Sequence, residues 1–139
     1  MVDRVTIDLV QVTWAHALKT APNAGLLFYD QLFAADPTLR QLFKGSIDEQ
    51  SLKLIGMLSM AIGKLDNLAG LQLVLAELGK RHVGYGVTPQ HYATVGAALI
   101  GTLGIALGDA FTTEVETAWL TVYQTLSDTM IAGAATVAA

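Results

Sequence analysis

His82 stands where the pattern around it asks for a leucine. Leu71, Leu75, Leu78 and His82 recur at steps of four, three and four, so they share one helix face. An imidazole at the end of an apolar stripe is commonly a core residue whose ring bonds a backbone carbonyl. The same ring, neutral and facing an apolar interior, is also a good ligand for iron. Two further polar groups interrupt apolar faces. Gln50 opens the stripe Gln50, Leu54, Met57 or Leu58, Ala61, and Tyr29 lies on a face with Leu26 and Phe33. Each has a plain structural reading: a tyrosine keeps its hydroxyl near the surface, a glutamine near a helix start is solvated or capping, and Phe43 is core. Together, one imidazole, one amide and one phenol describe a site in which a flat cofactor lies between the Gln50 and His82 helices. Hydroxyl and amide donors there would stabilise partial negative charge on a bound group.

The elements that must position these groups all read as helix. An amphipathic helix spans about 5–20, and a second spans about 22–35 with Pro22 in its first turn. Asp36-Pro37 breaks it, and a short turn runs from Thr38 to Phe43. Ser46 or Asp48 caps a third helix reaching about Lys64, and Asp66-Asn67 starts the His82 helix. Gly84-Tyr85-Gly86-Val87 reads as a turn, and Thr88 caps a helix with Pro89 in its first position, ending near Leu107. Thr112 or Thr113 caps the last helix, to about Ile131, and the alanine-rich stretch beyond it is expected to fray. No strand pattern competes. The expectation is an all-α chain of six long helices and one short turn, with connections too irregular for an up-down bundle and suited to pairwise packing around a pocket.

Composition narrows the function classes. The 139 residues are 53% hydrophobic and 14% charged, enough for one sizeable core and one domain over 1–139, ordered from about 5 to 131. The absence of cysteine excludes disulfides, thiolate-bound metals and cysteine nucleophiles. Net charge is −4, and all eight Lys and Arg precede His82, so there is no basic stripe for nucleic acid. Val83 to Gly108 lacks charge and is long enough to span a bilayer. Its Thr88, Pro89, Gln90, His91, Thr94 and Thr102 favour a buried core helix instead, and no membrane association is expected. The opening Met-Val-Asp-Arg has no basic-then-apolar leader, which points to a cytoplasmic protein. The polar face of the first helix and the modest charge suit a monomer.

Pro37 with Phe43, Gln50, Leu78-Gly79-Lys80-Arg81-His82, Tyr92, Ala118-Trp119 and Tyr123 form a set that resembles the globin family over about residues 5–131. The likeness is to the three-on-three globin rather than the truncated form, because the first helix and the long His82 helix are both present. Within the family the chain resembles bacterial single-domain haemoglobins and the globin domain of flavohaemoglobins. The spacing Leu-Gly-x-x-His-x-x-x-Gly-Val is also seen in neuroglobin-like members.

The resemblance implies a globin fold around haem b, with His82 as the proximal iron ligand and Gln50 and Tyr29 as distal donors. It further implies that Phe43 packs on the porphyrin face, that Leu54 limits ligand size, and that Val87 and Tyr92 contact the cofactor. Lys53 and Arg81 are the cations placed for the propionates, and His16 and His91 are surface residues. An amide is a poor iron ligand, so a pentacoordinate ferrous haem is expected, with water or the Tyr29 phenolate as ferric-state sixth ligands. Flavohaemoglobins tie the proximal histidine to a glutamate on the last helix. The matching position here falls at about Ala134, with no acid within a turn of it, so strong proximal electron push is not expected. The implied function is reversible dioxygen binding, for transport, storage or scavenging. The alternative is nitric oxide dioxygenation, which needs an external reductase. A sensor role lacks an output domain, and a globin-like regulator without haem is opposed by the presence of His82 and Phe43.

Overall fold

A computed structural model of the chain describes residues 3–43, 45–84 and 87–138. Lys44, and the Tyr85 and Gly86 of the expected turn, lie outside the described residues. Six α-helices carry the fold: α1 (Arg4–Thr20), α2 (Ala24–Ala35), α3 (Ile47–Gly63), α4 (Leu68–Gly84), α5 (Pro89–Leu107) and α6 (Thr113–Ala138). A 3-10 helix, Pro37–Leu42, joins α2 to α3, and another, Gly108–Ala110, joins α5 to α6. Among the described residues there is no strand.

Local chemistry sets the boundaries. Asp3 caps α1 by accepting from the Thr6 amide at 2.8 Å, and Ser46 caps α3 by accepting from the Glu49 amide at 3.1 Å. Asp48 and Glu49 then sit in the first turn of α3, where the helix dipole favours acids. Asp36 ends α2 and accepts from the amide and the hydroxyl of Thr38, which starts the 3-10 segment. Gly108 ends α5 at φ 54°, a left-handed conformation that favours glycine. Thr112, not Thr113, caps α6 through the Val115 amide at 3.2 Å.

Three sequence expectations need correction. Pro22 precedes α2 rather than occupying its first turn. Leu26 does not share the inward face of Tyr29: it is exposed, and Gly25, Phe28, Tyr29 and Leu32 are buried. The last helix runs past the expected end near Ile131, with α6 helical to Ala138 and Gly133 lying against α4.

The core is built where α1, α2, α5 and α6 meet. Trp14 and Trp119 lie 5.9 Å apart in its middle. Both indole N–H groups are satisfied, Trp119 by the Thr13 hydroxyl at 2.9 Å and Trp14 by the Ser59 hydroxyl at 3.0 Å. The apolar α5, long enough to cross a membrane by composition, packs against α1, α2 and α6, with Ile105 left exposed.

α4 packs chiefly on α6. The contact is backbone to backbone: a methyl added at Gly79 would lie 1.9 Å from the Met130 carbonyl oxygen, and one at Gly133 would lie 2.5 Å from that of Ala76. α3 is held from the other side. Gly25 of α2 brings the two helices so close that a methyl there would sit 2.9 Å from Ser51 Cβ. α3 and α4 are consecutive, joined by residues 64–67, yet they are not one of the principal packed pairs. They form a hairpin whose arms open into a cleft.

Gly79→Ala should destabilise the fold by about 3 kcal/mol through overpacking against a carbonyl that cannot move alone. Gly56→Ala, on an exposed turn of α3 with nothing within 4 Å, should stabilise it by about 0.5–1 kcal/mol. Urea denaturation of the two variants beside the parent checks both signs.

Candidate functional site

Two of the singled-out residues lie on the two arms of the α3–α4 hairpin. Gln50 lies in the first turn of α3 and His82 in the last turn of α4. His82 is half-buried, and its Nδ1 lies 2.6 Å from the Leu78 carbonyl oxygen one turn back. A carbonyl can only accept, so Nδ1 carries the proton and Nε2 carries the lone pair of the neutral ring. This is the tautomer that a metal-binding imidazole adopts when its other nitrogen is tied to the backbone.

The residues that follow Gln50 along α3 are largely apolar, and Leu54, Ile55 and Leu58 line a small cavity with Trp14, Phe28 and Leu103. Leu54, Ile55, Met57 and Leu58 on α3, and Leu78 on α4, are half-buried. Phe43 ends the first 3-10 segment and is half-buried, held by the Arg40 guanidinium that donates to its carbonyl at 2.7 Å. Lys53 and Arg81 are exposed. The ion pairs among the described residues use other groups: Arg4 with Asp8 and Asp66, and Lys80 with Glu77.

Tyr29 belongs to α2. It lies one turn beyond Gly25, the point at which α2 crosses α3 at Ser51, beside Gln50. Its ring contacts Phe28 and Phe43, each at 5.1 Å, and Phe33 at 5.7 Å. Tyr29 is 4% exposed, and burial pushes its phenol up to about 12. The hydroxyl is therefore a neutral donor at physiological pH.

On the His82 side, the Tyr92 ring lies 6.4 Å from the imidazole, tilted by 32°. The Tyr92 hydroxyl is buried without a partner, and burial raises its pKa. The Tyr123 hydroxyl donates to the Tyr92 carbonyl at 2.5 Å, and burial, with Tyr92 nearby, raises its pKa strongly. Val87, half-buried, donates its amide to the His82 carbonyl at 3.0 Å. Two contacts here were missed by the sequence reading. The Tyr123–Tyr92 bond left no spacing signal. His91, taken for a surface residue, accepts from the Thr88 amide at 3.0 Å. Its signal was present in Thr88-Pro89-Gln90-His91, a capping-box spacing with imidazole in place of a carboxylate.

The donor set fits a flat, apolar, iron-bearing group. The His82 ring is tied through Nδ1 to a backbone carbonyl, and the half-buried residues of α3 and α4 named above are apolar. Among the described residues no cluster of His, Cys, Asp and Glu could hold a bare metal ion.

Fold and site together define a helical haem-protein class. The globin family model matches residues 26–130, and the chain belongs to the globin family, of the oxygen-binding haem-protein type. It is 31% identical to neuroglobin of Danio rerio, over 90% of this chain and 87% of that one. It is 28% identical to a flavohemoprotein of Vibrio cholerae, over 94% of this chain but 34% of that protein, so it spans about a third of the relative's length. An engineered carbene transferase from Rhodothermus marinus, assigned as a nitric oxide dioxygenase, superposes with a TM-score of 0.87. That likeness has 25% identity and covers 99% of this chain and 96% of the other.

The raised phenols predict an alkaline instability. Unfolding returns Tyr29 to its ordinary value of 10.0, whereas the native phenol holds its proton up to about 12. Between these values the unfolded chain has lost a proton that the native one keeps, so stability falls as pH rises. Tyr92 and Tyr123 act in the same direction. Urea midpoints should fall across this window, and Tyr29→Phe should flatten part of the slope.

Proposed function

We propose that the chain is a single globin domain over 1–139 that binds haem b and takes up dioxygen reversibly. The observation that carries the reading is the His82 Nδ1 proton, committed to the Leu78 carbonyl at 2.6 Å at the end of an apolar helix face. Haem would supply an iron with one position for His82 and another for a diatomic gas. His82 presents Nε2 as the proximal ligand. Gln50 offers an amide too weak to occupy the iron itself, which suits a pentacoordinate ferrous state. Tyr29 offers a neutral hydroxyl, and both donors favour a ligand that gathers negative charge on its outer atom. Leu54 limits ligand size, Phe43 packs on the porphyrin face, and Val87 and Tyr92 cover it on the His82 side. Lys53 and Arg81, exposed and without a carboxylate partner among the described residues, serve the propionates. In this reading the protein is a cytoplasmic monomer with no nucleic-acid or membrane partner.

A second reading is nitric oxide dioxygenation, supported by the likeness to the Rhodothermus marinus protein and to the flavohemoproteins. Dioxygen, nitric oxide and one electron give nitrate, so turnover needs an external reductase to supply the electron. The same two donors serve both readings.

The purified protein should show a Soret band, lost in His82→Ala. Loss of a hydrogen bond to a charged acceptor removes about 1.5–3 kcal/mol, so Tyr29→Phe and Gln50→Leu should each speed oxygen dissociation by about tenfold or more. Carbon monoxide dissociation should change far less. Nitric oxide consumption that stops at one equivalent per haem, with reductant and a flavin reductase in excess, would exclude the dioxygenase reading.

A further inference from the structure

The corner between α4 and α5 is held by a histidine in a single protonation state. The Thr88 amide donates to His91 Nδ1 at 3.0 Å, and the next residue back, Val87, donates its amide to the His82 carbonyl at 3.0 Å. The residue after His91 is Tyr92, whose ring lies 6.4 Å from the His82 imidazole. The chain from His82 to Tyr92 is thus closed by two hydrogen bonds, and His91 supplies the acceptor of one.

We propose that His91 is a positioning residue for His82 and makes the His82 corner responsive to pH. The inference rests on the reading of His82 as the iron ligand. An imidazole nitrogen accepts only when the ring is neutral with its proton on the other nitrogen. Protonation turns Nδ1 into a donor facing the Thr88 N–H, so the bond is lost. It also places a positive charge in the first turn of α5, where the helix dipole opposes it. In acid the Val87–Thr88 segment loses its side-chain tether, and the neighbouring Val87–His82 bond and the Tyr92 ring lose a constraint.

The other charged and titratable groups near this turn are few. The end of α4 contributes Arg81 and His82, with Lys80 engaged by Glu77 at 3.1 Å. α6 contributes Tyr123, on the Tyr92 carbonyl, and Asp128, which accepts from the Gln124 amide at 2.8 Å. α1 and α2 meet α5 farther along, where Thr20 donates to the Ala106 carbonyl at 2.8 Å and Gln31 lies beside Gly101. Lys19 and Asp30 adjoin those contacts, and Asp109 follows the far end of α5. Among the described residues no carboxylate pairs with His91.

Haem-loaded parent, His91→Gln and His91→Ala should be compared at about pH 8 and pH 5.5, the range in which imidazoles change charge. Glutamine at the third position of a capping box accepts from the cap amide at every pH. Three readouts apply: hydrogen exchange of the Val87 and Thr88 amides, the ferrous iron–histidine stretching band, and the oxygen dissociation rate. In the parent, exchange corrected for its intrinsic pH dependence should quicken about fivefold in acid, the worth of a typical helix cap. The stretching band and dissociation rate should move with it. His91→Gln should remove the pH response of all three, and His91→Ala should show the acid values at both pH values. A His91→Gln protein with the parent's pH response overturns the proposal, as does a parent with none. A chain that takes up no haem is recognised by its missing Soret band, which fails the underlying reading. Amide exchange then still decides whether the cap responds to pH.

Discussion

Helix α4 packs chiefly on α6, and the placement of His82 follows from that constraint. Glycines at 79 and 133 let the backbones of α4 and α6 touch, with no side chain to hold them apart. A helix docked this closely needs no second neighbour to stay in place. Its opposite flank need not close against α3, and the hairpin stays open. The opening has a cost: Leu54, Ile55, Met57, Leu58 and Leu78 retain exposed apolar surface. Each Å² later covered by a ligand returns about 25 cal/mol. A flat apolar group in the cleft would therefore stabilise the native chain as it binds.

Polar groups are treated differently in the core and at the cleft. In the core each indole donates to a hydroxyl, and the Thr102 hydroxyl bonds the Ala98 carbonyl at 2.8 Å. At the cleft, the Tyr92 hydroxyl is buried with no partner, a state that costs about 1–3 kcal/mol. Tyr29 is enclosed by three phenylalanine rings and denied ionisation until about 12. A fold optimised for stability alone would place phenylalanine at either position. The tyrosines make sense as groups kept for a ligand, held in place by neighbours that give them no competing bond.

Much of this was legible in the sequence because it depended on neighbours along the chain. Ser46 before Ile47, Thr88 before Pro89 and Asp36 before Pro37 carry their capping chemistry locally, and the helices begin or end there. The stripe ending in His82 fixes which face the imidazole shares. What escaped depended on contacts between distant segments. The extension of α6 to Ala138 goes with Gly133 meeting Ala76, and an alanine-rich sequence without that partner reads as a frayed end. Leu26 was placed inward by spacing, yet α2 turns Gly25 to Ser51 and thereby turns Leu26 outward. The Tyr123–Tyr92 bond spans 31 residues and has no periodicity to betray it.

The proximal side carries a further consequence. The acids of α6 are Glu114, Glu116 and Asp128, and Ala134 adjoins the glycine packed on α4. The His82 Nδ1 proton goes instead to the Leu78 carbonyl, a neutral acceptor. An imidazole bonded to a carbonyl is less basic than one bonded to a carboxylate, so it donates less charge to a metal on its other nitrogen. With that lever weak, the proposed reading leaves discrimination among diatomic ligands to Tyr29 and Gln50. Those two groups come from different helices, and their separation is set where Gly25 meets Ser51. The chemistry of the pocket is thus governed by a glycine contact on each side, one that seats the histidine helix and one that brings the donors together.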